Sequence, residues 1–289
     1  MKNIFVVGSI NTDLVITAPR MPQKGETITG SDFFSAHGGK GANQAVAAAR
    51  LGGKVFMCGC VGDDVFGQDA ILSLRQAGVD TGHVSTKKAV ATGTAIILVE
   101  KGDNRIVLDK GANAYLTKDN IDKMLETAVA GDIYLTQLEN PVDVIGYGIE
   151  EAKKKGLYVV LNPAPANTGI LPYLKNCDLI TPNETEEKLL GGREKLLENV
   201  KTLIVTLGGD GFEIITKDVK KKYPCIKIKP VDTTAAGDTL CGGLVAMLSE
   251  GAPLEKAAEF GSLAASIACT KKGAQPSIPD KKEVLDFTL

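Results

Sequence analysis

Asp232-Thr233-Thr234-Ala235-Ala236-Gly237-Asp238-Thr239 joins a strand-like segment to an apolar run, 239–248, with helical character. The small residues at 235–237 let the chain turn tightly with its amide N–H groups facing outward. At a helix N-terminus those donors have no intrahelical acceptor, and the helix dipole favours an anion there. Fixed donors of this kind suit a transferring phosphoryl group. Asp238 sits in the first turn beside them. A carboxylate in that place can take the proton from an attacking alcohol, and Asp is also a common helix cap. The stretch alone fits both roles.

Upstream, the chain alternates short apolar runs with helical patterns. Strands are expected at 4–7, 55–60, 132–137, 157–161, 178–180 and 202–207. Helices are expected at 42–51, 66–77, 118–129, 142–155, 184–190 and 193–200. This rhythm predicts βαβ units and an α/β fold with a mostly parallel central sheet. Downstream, 212–216 and 225–229 read as paired strands, followed by helices at 236–249, 253–270 and 280–287. Two regions break the rhythm. Residues 13–35 and 93–110 carry β-branched residues and turns without a helical period. Within the second, 94–99 and 105–108 flank Lys101-Gly102-Asp103-Asn104, a hairpin turn signal. These strands predict a small β-sheet inserted in the α/β core, able to cover a pocket as a lid or to decorate the surface.

The bulk numbers set limits. The 289 residues suit one large α/β domain, and a net charge of −2 offers no basic excess for tracking a nucleic acid backbone. None of the six cysteines sits in a Cys-x-x-Cys pair, and only two histidines are present, so zinc-ligand spacing is missing. Reduced, mostly buried thiols are expected. The N-terminal apolar run is too short for a signal peptide, and no apolar stretch is long enough to span a membrane. A cytoplasmic protein is the expectation.

Six motifs occur in order along the chain: Gly8-Ser9-Ile10-Asn11-Thr12-Asp13, Gly38-Gly39-Lys40-Gly41-Ala42-Asn43-Gln44, Asn162-Pro163-Ala164-Pro165, Thr181-Pro182-Asn183-Glu184-Thr185-Glu186, the 232–239 stretch, and Lys272-Gly273-Ala274-Gln275-Pro276-Ser277. Together they resemble the signatures of the PfkB carbohydrate kinase family. The resemblance implies a ribokinase-like three-layer α/β/α sandwich with a small β-sheet lid, built as a single domain over 1–289. It also implies ATP-dependent phosphorylation of a sugar hydroxyl. The sugar-contacting positions are similar to those of members that convert D-ribose to D-ribose 5-phosphate and ADP.

By resemblance, Asp238 is the general base, and the N–H groups of Ala235, Ala236 and Gly237 form the anion hole. Sugar contacts fall on Asn11, Asp13, Gly39, Lys40, Gly41, Ala42, Asn43, Glu139 and Asp238. The chemistry is apt: an ionised carboxylate accepts from two adjacent hydroxyls. ATP contacts fall on Asn183, Thr206, Leu207, Gly208, Gly209, Asp210, Gly211, Gly237, Asp238 and Ser262. Glu186 is implied for Mg²⁺, which needs few carboxylates. Asp232, Thr234, Ala268, Lys271, Gly273 and Ser277 are implied for K⁺, mostly through carbonyls. A homodimer through the lid sheets is implied as well. Seen alone, Asp13 also fits a turn residue, Lys40 a solvated loop lysine, and Asn183 with Glu186 a helix cap.

The chain departs from the family in one place: between Glu186 and Thr206 it is roughly a dozen residues shorter than expected. Rival functions are weighed against the same residues. A nucleoside kinase needs an aromatic base pocket, and aromatics are only 5% of the chain. A sugar sensor is expected to lose the base or the anion hole. A Rossmann dehydrogenase needs Gly-x-Gly-x-x-Gly after the first strand, and no such run exists there. Asn11 favours ribose over deoxyribose, since deoxyribokinases tend to carry Met at that place. No Gly-x-x-x-x-Gly-Lys-Ser/Thr loop is present, so the chain is not a P-loop kinase.

Overall fold

The computed structural model describes residues 1–101 and 103–287. Its strands are β1 (Asn3–Val7), β2 (Asn11–Thr17), β3 (Ser31–Gly38), β4 (Lys54–Gly62), β5 (Asp80–Lys87), β6 (Gly93–Glu100), β7 (Asp103–Asp109), β8 (Ile133–Thr136), β9 (Tyr158–Leu161), β10 (Leu179–Ile180), β11 (Thr202–Thr206), β12 (Phe212–Ile215) and β13 (Lys220–Tyr223). Nine form one sheet in the order β13-β12-β11-β10-β9-β8-β1-β4-β5, parallel from β11 through β5 with β12 and β13 antiparallel at one edge. Of the turn expected at 101–104, Gly102 lies outside the described residues.

Successive residues of β1 show the layering. Phe5 and Val7 pack into one buried cluster with Ile121, Met124, Ile145 and Ile149. Ile4 and Val6 pack on the opposite face with Ala45, Ala48, Leu244 and Val245. A strand buried on both faces reads as a continuous apolar run, which is why Ile4-Phe5-Val6-Val7 shows no alternation. The helices Lys118–Leu125 and Val142–Lys154 therefore cover one face. The helices Lys40–Arg50 and Ala236–Ser249 cover the other. These are the three expected layers.

The second sheet runs β3-β2-β6-β7. Its outer pairs are antiparallel and its central β2–β6 pair is parallel. The chain enters it from the C-terminal ends of β1 and β5 and returns through Gly38 to the helix at Lys40, so it is joined to the large sheet at the C-terminal ends of its strands.

One expected strand is misplaced. Residues 225–229 are not a strand. β12 pairs instead with Lys220–Tyr223, in a register that puts Phe212 opposite Tyr223 with their rings stacked at 5.0 Å. The apolar residues of Cys225-Ile226-Lys227-Ile228-Lys229 answer a different demand, since Cys225, Ile226 and Ile228 line a cavity together with Lys227 between them. Three consecutive lysines hide the real strand; charge of that kind is usual on an edge that must not pair further. β5 and two 3₁₀ segments, Gly111–Tyr115 and Thr168–Asn176, carry too little period to be seen in advance. The expected 193–200 helix is shorter, Arg193–Leu197, and Arg193 ties the compact connection down by bonding both Glu187 and Glu213.

Candidate active site

Strand order reverses between β1 and β8: the chain moves from β1 outward to β4 and β5, then returns to β8 on the other side of β1. Open parallel sheets bind ligands outside the strand ends at such a point. Here Gly8 and Ser9 leave β1, and Gln137, Leu138 and Glu139 leave β8. Ser9 Oγ donates to Glu139 Oε2, and so does the backbone N–H of Lys40, at 3.1 Å. The two strand ends and the start of the helix Lys40–Arg50 are thereby locked together.

That close approach explains the glycines. Gly39 has φ +88°, and a Cβ there would lie 2.7 Å from the Asn11 nitrogen. A Cβ at Gly41 would lie 2.5 Å from the Gly8 carbonyl carbon. Any side chain would push the Gly-Gly-Lys-Gly turn off the end of β1.

Asn11 and Asp13 enter from β2. Asn11 is buried, and its Oδ1 accepts from Asn113 Nδ2 at 2.7 Å. Asn113 also spans the Ile10 backbone, accepting from its N–H and donating to its carbonyl. With its oxygen taken, Asn11 presents its NH₂ outward. Asp13 is half-buried; burial first, then the nearby charges of Glu139 and Asp238, push its carboxyl up to about 6. Ionisation of Asp13 is thereby disfavoured until hydroxyl donors arrive.

Asp238, in the first turn of Ala236–Ser249, is buried. Its Oδ2 accepts from Asn43 Nδ2 at 3.1 Å, and its Oδ1 accepts from Gln44 Nε2 at 2.9 Å. Asp238 is therefore not the cap of its helix. The position before the helix is Ala235, in left-handed conformation with φ 60°, and it makes no side-chain cap. Thr239 N–H and Oγ both turn back to the Ala235 carbonyl, which holds the tight turn.

A small cavity of about 210 Å³ lies against this turn. Ala235, Ala236, Gly237 and Asp238 line it together with Lys40, Asn183, Glu186 and Thr206. Lys40 is thus not a solvated loop lysine: its side chain is half-buried, and chiefly Asp238 pushes its pKa up and keeps it charged. Asn183 and Glu186 do form a capping box, with Asn183 Oδ1 accepting from Glu186 N–H and Glu186 Oε2 accepting from Asn183 N–H. They also face the cavity, so cap and site coexist. Burial raises the Glu186 carboxyl despite that backbone bond and Lys40.

A second cavity of about 430 Å³ adjoins it and shares Thr206, Thr233, Ala236 and Gly237. Gly208, Gly209 and Gly211 line one wall; Ile226, Ile228, Leu240, Ala265 and Ser262 make the rest largely apolar. Two members of the expected loop point elsewhere. Leu207 packs against the core, and Asp210, itself outside the lining, pairs with Lys227, which is part of it. Lys227 Nζ also donates to the Gly209 carbonyl, holding the loop to the 225–229 segment.

Around Asp232, Oδ1 accepts from the Thr234 N–H and hydroxyl, and Oδ2 accepts from Gly273 N–H at 2.9 Å. Burial works against this carboxylate's charge, but those three donors outweigh it and hold its pKa low. The structure joins Asp232, Thr234 and Gly273. Ser277 Oγ turns to the Ala274 carbonyl, and the Lys271 ammonium pairs with Glu283. Ser9, Gln44, Asn113 and Gln137 are site residues that the sequence did not single out, although Ser9 and Gln44 lie inside quoted motifs. Among the described residues no helix is long and apolar enough to cross a membrane.

The comparisons with known proteins agree with this geometry. Residues 1–281 match the pfkB family carbohydrate kinase pattern. The ribokinase of Haemophilus influenzae is 42% identical over 99% of this chain and 98% of its own. The crystal structure of ribokinase from Thermotoga maritima superposes with a TM-score of 0.87 at 38% identity, covering 99% of this chain and 98% of that one. The structure of Arabidopsis thaliana ribokinase complexed with ribose and ATP gives a TM-score of 0.87 at 29% identity, covering 99% of both chains. With residues 1–281 matched by the family pattern and a curated relative 42% identical from end to end, the chain belongs to the pfkB family of carbohydrate kinases.

Proposed function

We propose that this protein transfers the terminal phosphoryl group of ATP to the 5-hydroxyl of D-ribose, giving D-ribose 5-phosphate and ADP. One observation carries the reading. The buried Asp238 carboxylate stands between two different spaces: the N-terminal amides of Ala236–Ser249 with an apolar cavity beyond them, and a polar group of Asn11, Asp13 and Glu139. An alcohol held by the second and a phosphate held by the first would meet at Asp238. The carboxylate then takes the hydroxyl proton as the oxygen attacks in line, and the amides of Ala235 and Gly237 meet the charge on the phosphoryl oxygens, joined by that of Ala236 on release from the Thr233 carbonyl. Lys40 adds a positive charge on the same side. The apolar cavity suits an adenine ring.

Asn11 and Asp13 are assigned to the ribose hydroxyls, one donating and one accepting. Glu186 is assigned to Mg²⁺: its Oε2 is used in the cap, and its Oε1 has no protein partner among the described residues. When bound, the ion would offset phosphate charge. The Asp232, Thr234 and Gly273 loop is assigned to K⁺, with Ala268, Lys271 and Ser277 contributing carbonyl or hydroxyl oxygens. The β3-β2-β6-β7 sheet is read as a lid within one kinase domain. Its exposed Ile96 and Val107, opposite each other in register on β6 and β7, are read as part of the face on which two lids meet in a homodimer.

An ADP-release assay with ribose, 2-deoxyribose, fructose and adenosine tests the assignment. Ribose is expected to give the highest kcat/KM. A higher value for any of the other three would replace ribose as the substrate.

A further inference from the structure

Gln44 touches the base, yet the reaction as described above gives it no task. It is fully buried in the first turns of Lys40–Arg50. Its Nε2 donates to Asp238 Oδ1 at 2.9 Å and to Asn162 Oδ1 at 3.1 Å, and its Oε1 accepts from Gln137 Nε2 at 2.7 Å. We propose that Gln44 is a positioning residue for the base, the centre of a buried amide chain that fixes the orientation of the Asp238 carboxylate. The inference rests on the function proposed above.

The direction of every amide in this chain is determined. Asn162 Nδ2 donates to the Thr181 carbonyl, so Asn162 can offer only its oxygen to Gln44. A flipped Gln44 would set its own oxygen against that oxygen and against a carboxylate. Its remaining oxygen therefore faces Gln137, which must donate. Gln137 fits there because residue 8 is glycine: a Cβ at that position would lie 2.0 Å from Gln137 Oε1. The chain thus runs from the end of β8, packed over Gly8, through the helix Lys40–Arg50 to the first turn of Ala236–Ser249.

Asn43 holds one carboxylate oxygen and Gln44 the other. Rotation about the Cβ–Cγ bond of Asp238 would break both bonds. Each oxygen keeps a lone pair, so a proton can still be accepted. Without Gln44 one oxygen is free and the carboxylate can swing away from the attacking hydroxyl. That error affects the transition state more than the binding of either substrate, so it should appear in kcat rather than in KM.

The test measures kcat, both KM values and Tm for Gln44→Leu and Gln137→Met, each in wild-type and Asp238→Asn backgrounds. Gln44→Leu is expected to lower kcat about 10²-fold while both KM values stay within about threefold. In the Asp238→Asn background the same substitution should cost less than about threefold, because residues acting as one unit are not additive. Gln137→Met, one bond further away, should show a smaller loss with the same dependence on Asp238. Should Gln44→Leu not fold, Gln137→Met carries the test alone. An equal loss in both backgrounds, or a kcat close to wild type with Asp238 present, overturns the positioning role and leaves the function standing. Wild-type turnover by Asp238→Asn overturns Asp238 as the base, and this inference with it, whereas failure of the ribose assignment is read separately from the substrate panel.

Discussion

On one side of Asp238 the site is made of side chains locked by neighbours: Asn11 held by Asn113, Glu139 held by Ser9 and the Lys40 amide, Asp13 crowded by two other acids. On the other side it is made of backbone. The amides of Ala235 and Gly237 lie at the helix start, where the Ala236 N–H turns to the Thr233 carbonyl at 3.2 Å, and Gly208 and Gly209 leave open space where a Cβ would meet nothing within 4 Å. On the proposed function, the polar side would read its ligand through individual functional groups, so each residue there should matter separately and specifically. The backbone side would read charge and flat shape, so single side chains there should matter little. Substitutions on the two sides test this contrast directly.

The largest effect is expected at the boundary. Asp238→Asn removes the proton acceptor but keeps a side chain of the same shape. Steady-state assays should show kcat reduced about 10²–10⁴-fold, the usual contribution of a general base. Near-normal turnover would mean that the two sides meet without Asp238 and would end the proposed mechanism.

Asp13 tests the polar side. Asp13→Asn replaces a double acceptor with one oxygen and one NH₂. Losing a charged hydrogen bond costs roughly 1.5–3 kcal/mol, so the ribose KM should rise about 10- to 100-fold while the ATP KM holds. Because the Asp13 carboxyl is pushed up to about 6, the ribose KM of the wild type should also climb as pH falls below that value. The stability effect has the opposite direction. A folded pKa above the unfolded one favours the fold at low pH, and that contribution is lost as pH rises through about 6. Asp13→Asn should therefore raise Tm of the ligand-free protein at neutral pH, measured by thermal scanning. A fall in Tm would show that the carboxylate is not the uncompensated charge described here.

The same contrast governs how far the sequence could be read. The parallel sheet was legible because strands buried on both faces must be continuous apolar runs, as in Ile4-Phe5-Val6-Val7. The helix start at 235–237 was legible because a run of small residues directly ahead of an apolar helical period marks a tight turn into a helix. Gln44 and Gln137 were not, since their task depends on two segments 93 residues apart meeting over Gly8. Asn113 was hidden for a similar reason: it sits in a 3₁₀ turn with no period and acts on the backbone of a distant strand. At 225–229 the apolar residues served a cavity wall, while the true strand was disguised by lysines. Pattern reports which side of the chain is apolar, not which partner covers it.

The smallest effect belongs to the backbone side. Ser262 lines the apolar cavity, and its hydroxyl has no protein partner among the described residues. At most it supplies one neutral hydrogen bond to the nucleotide, worth about 0.5–1.5 kcal/mol. Ser262→Ala should thus raise the ATP KM about two- to tenfold and leave the ribose KM and kcat alone. A larger loss would mean that the cavity recognises its base through a specific polar group, as the other side does. The contrast between the two halves would then narrow to the phosphate-binding amides alone.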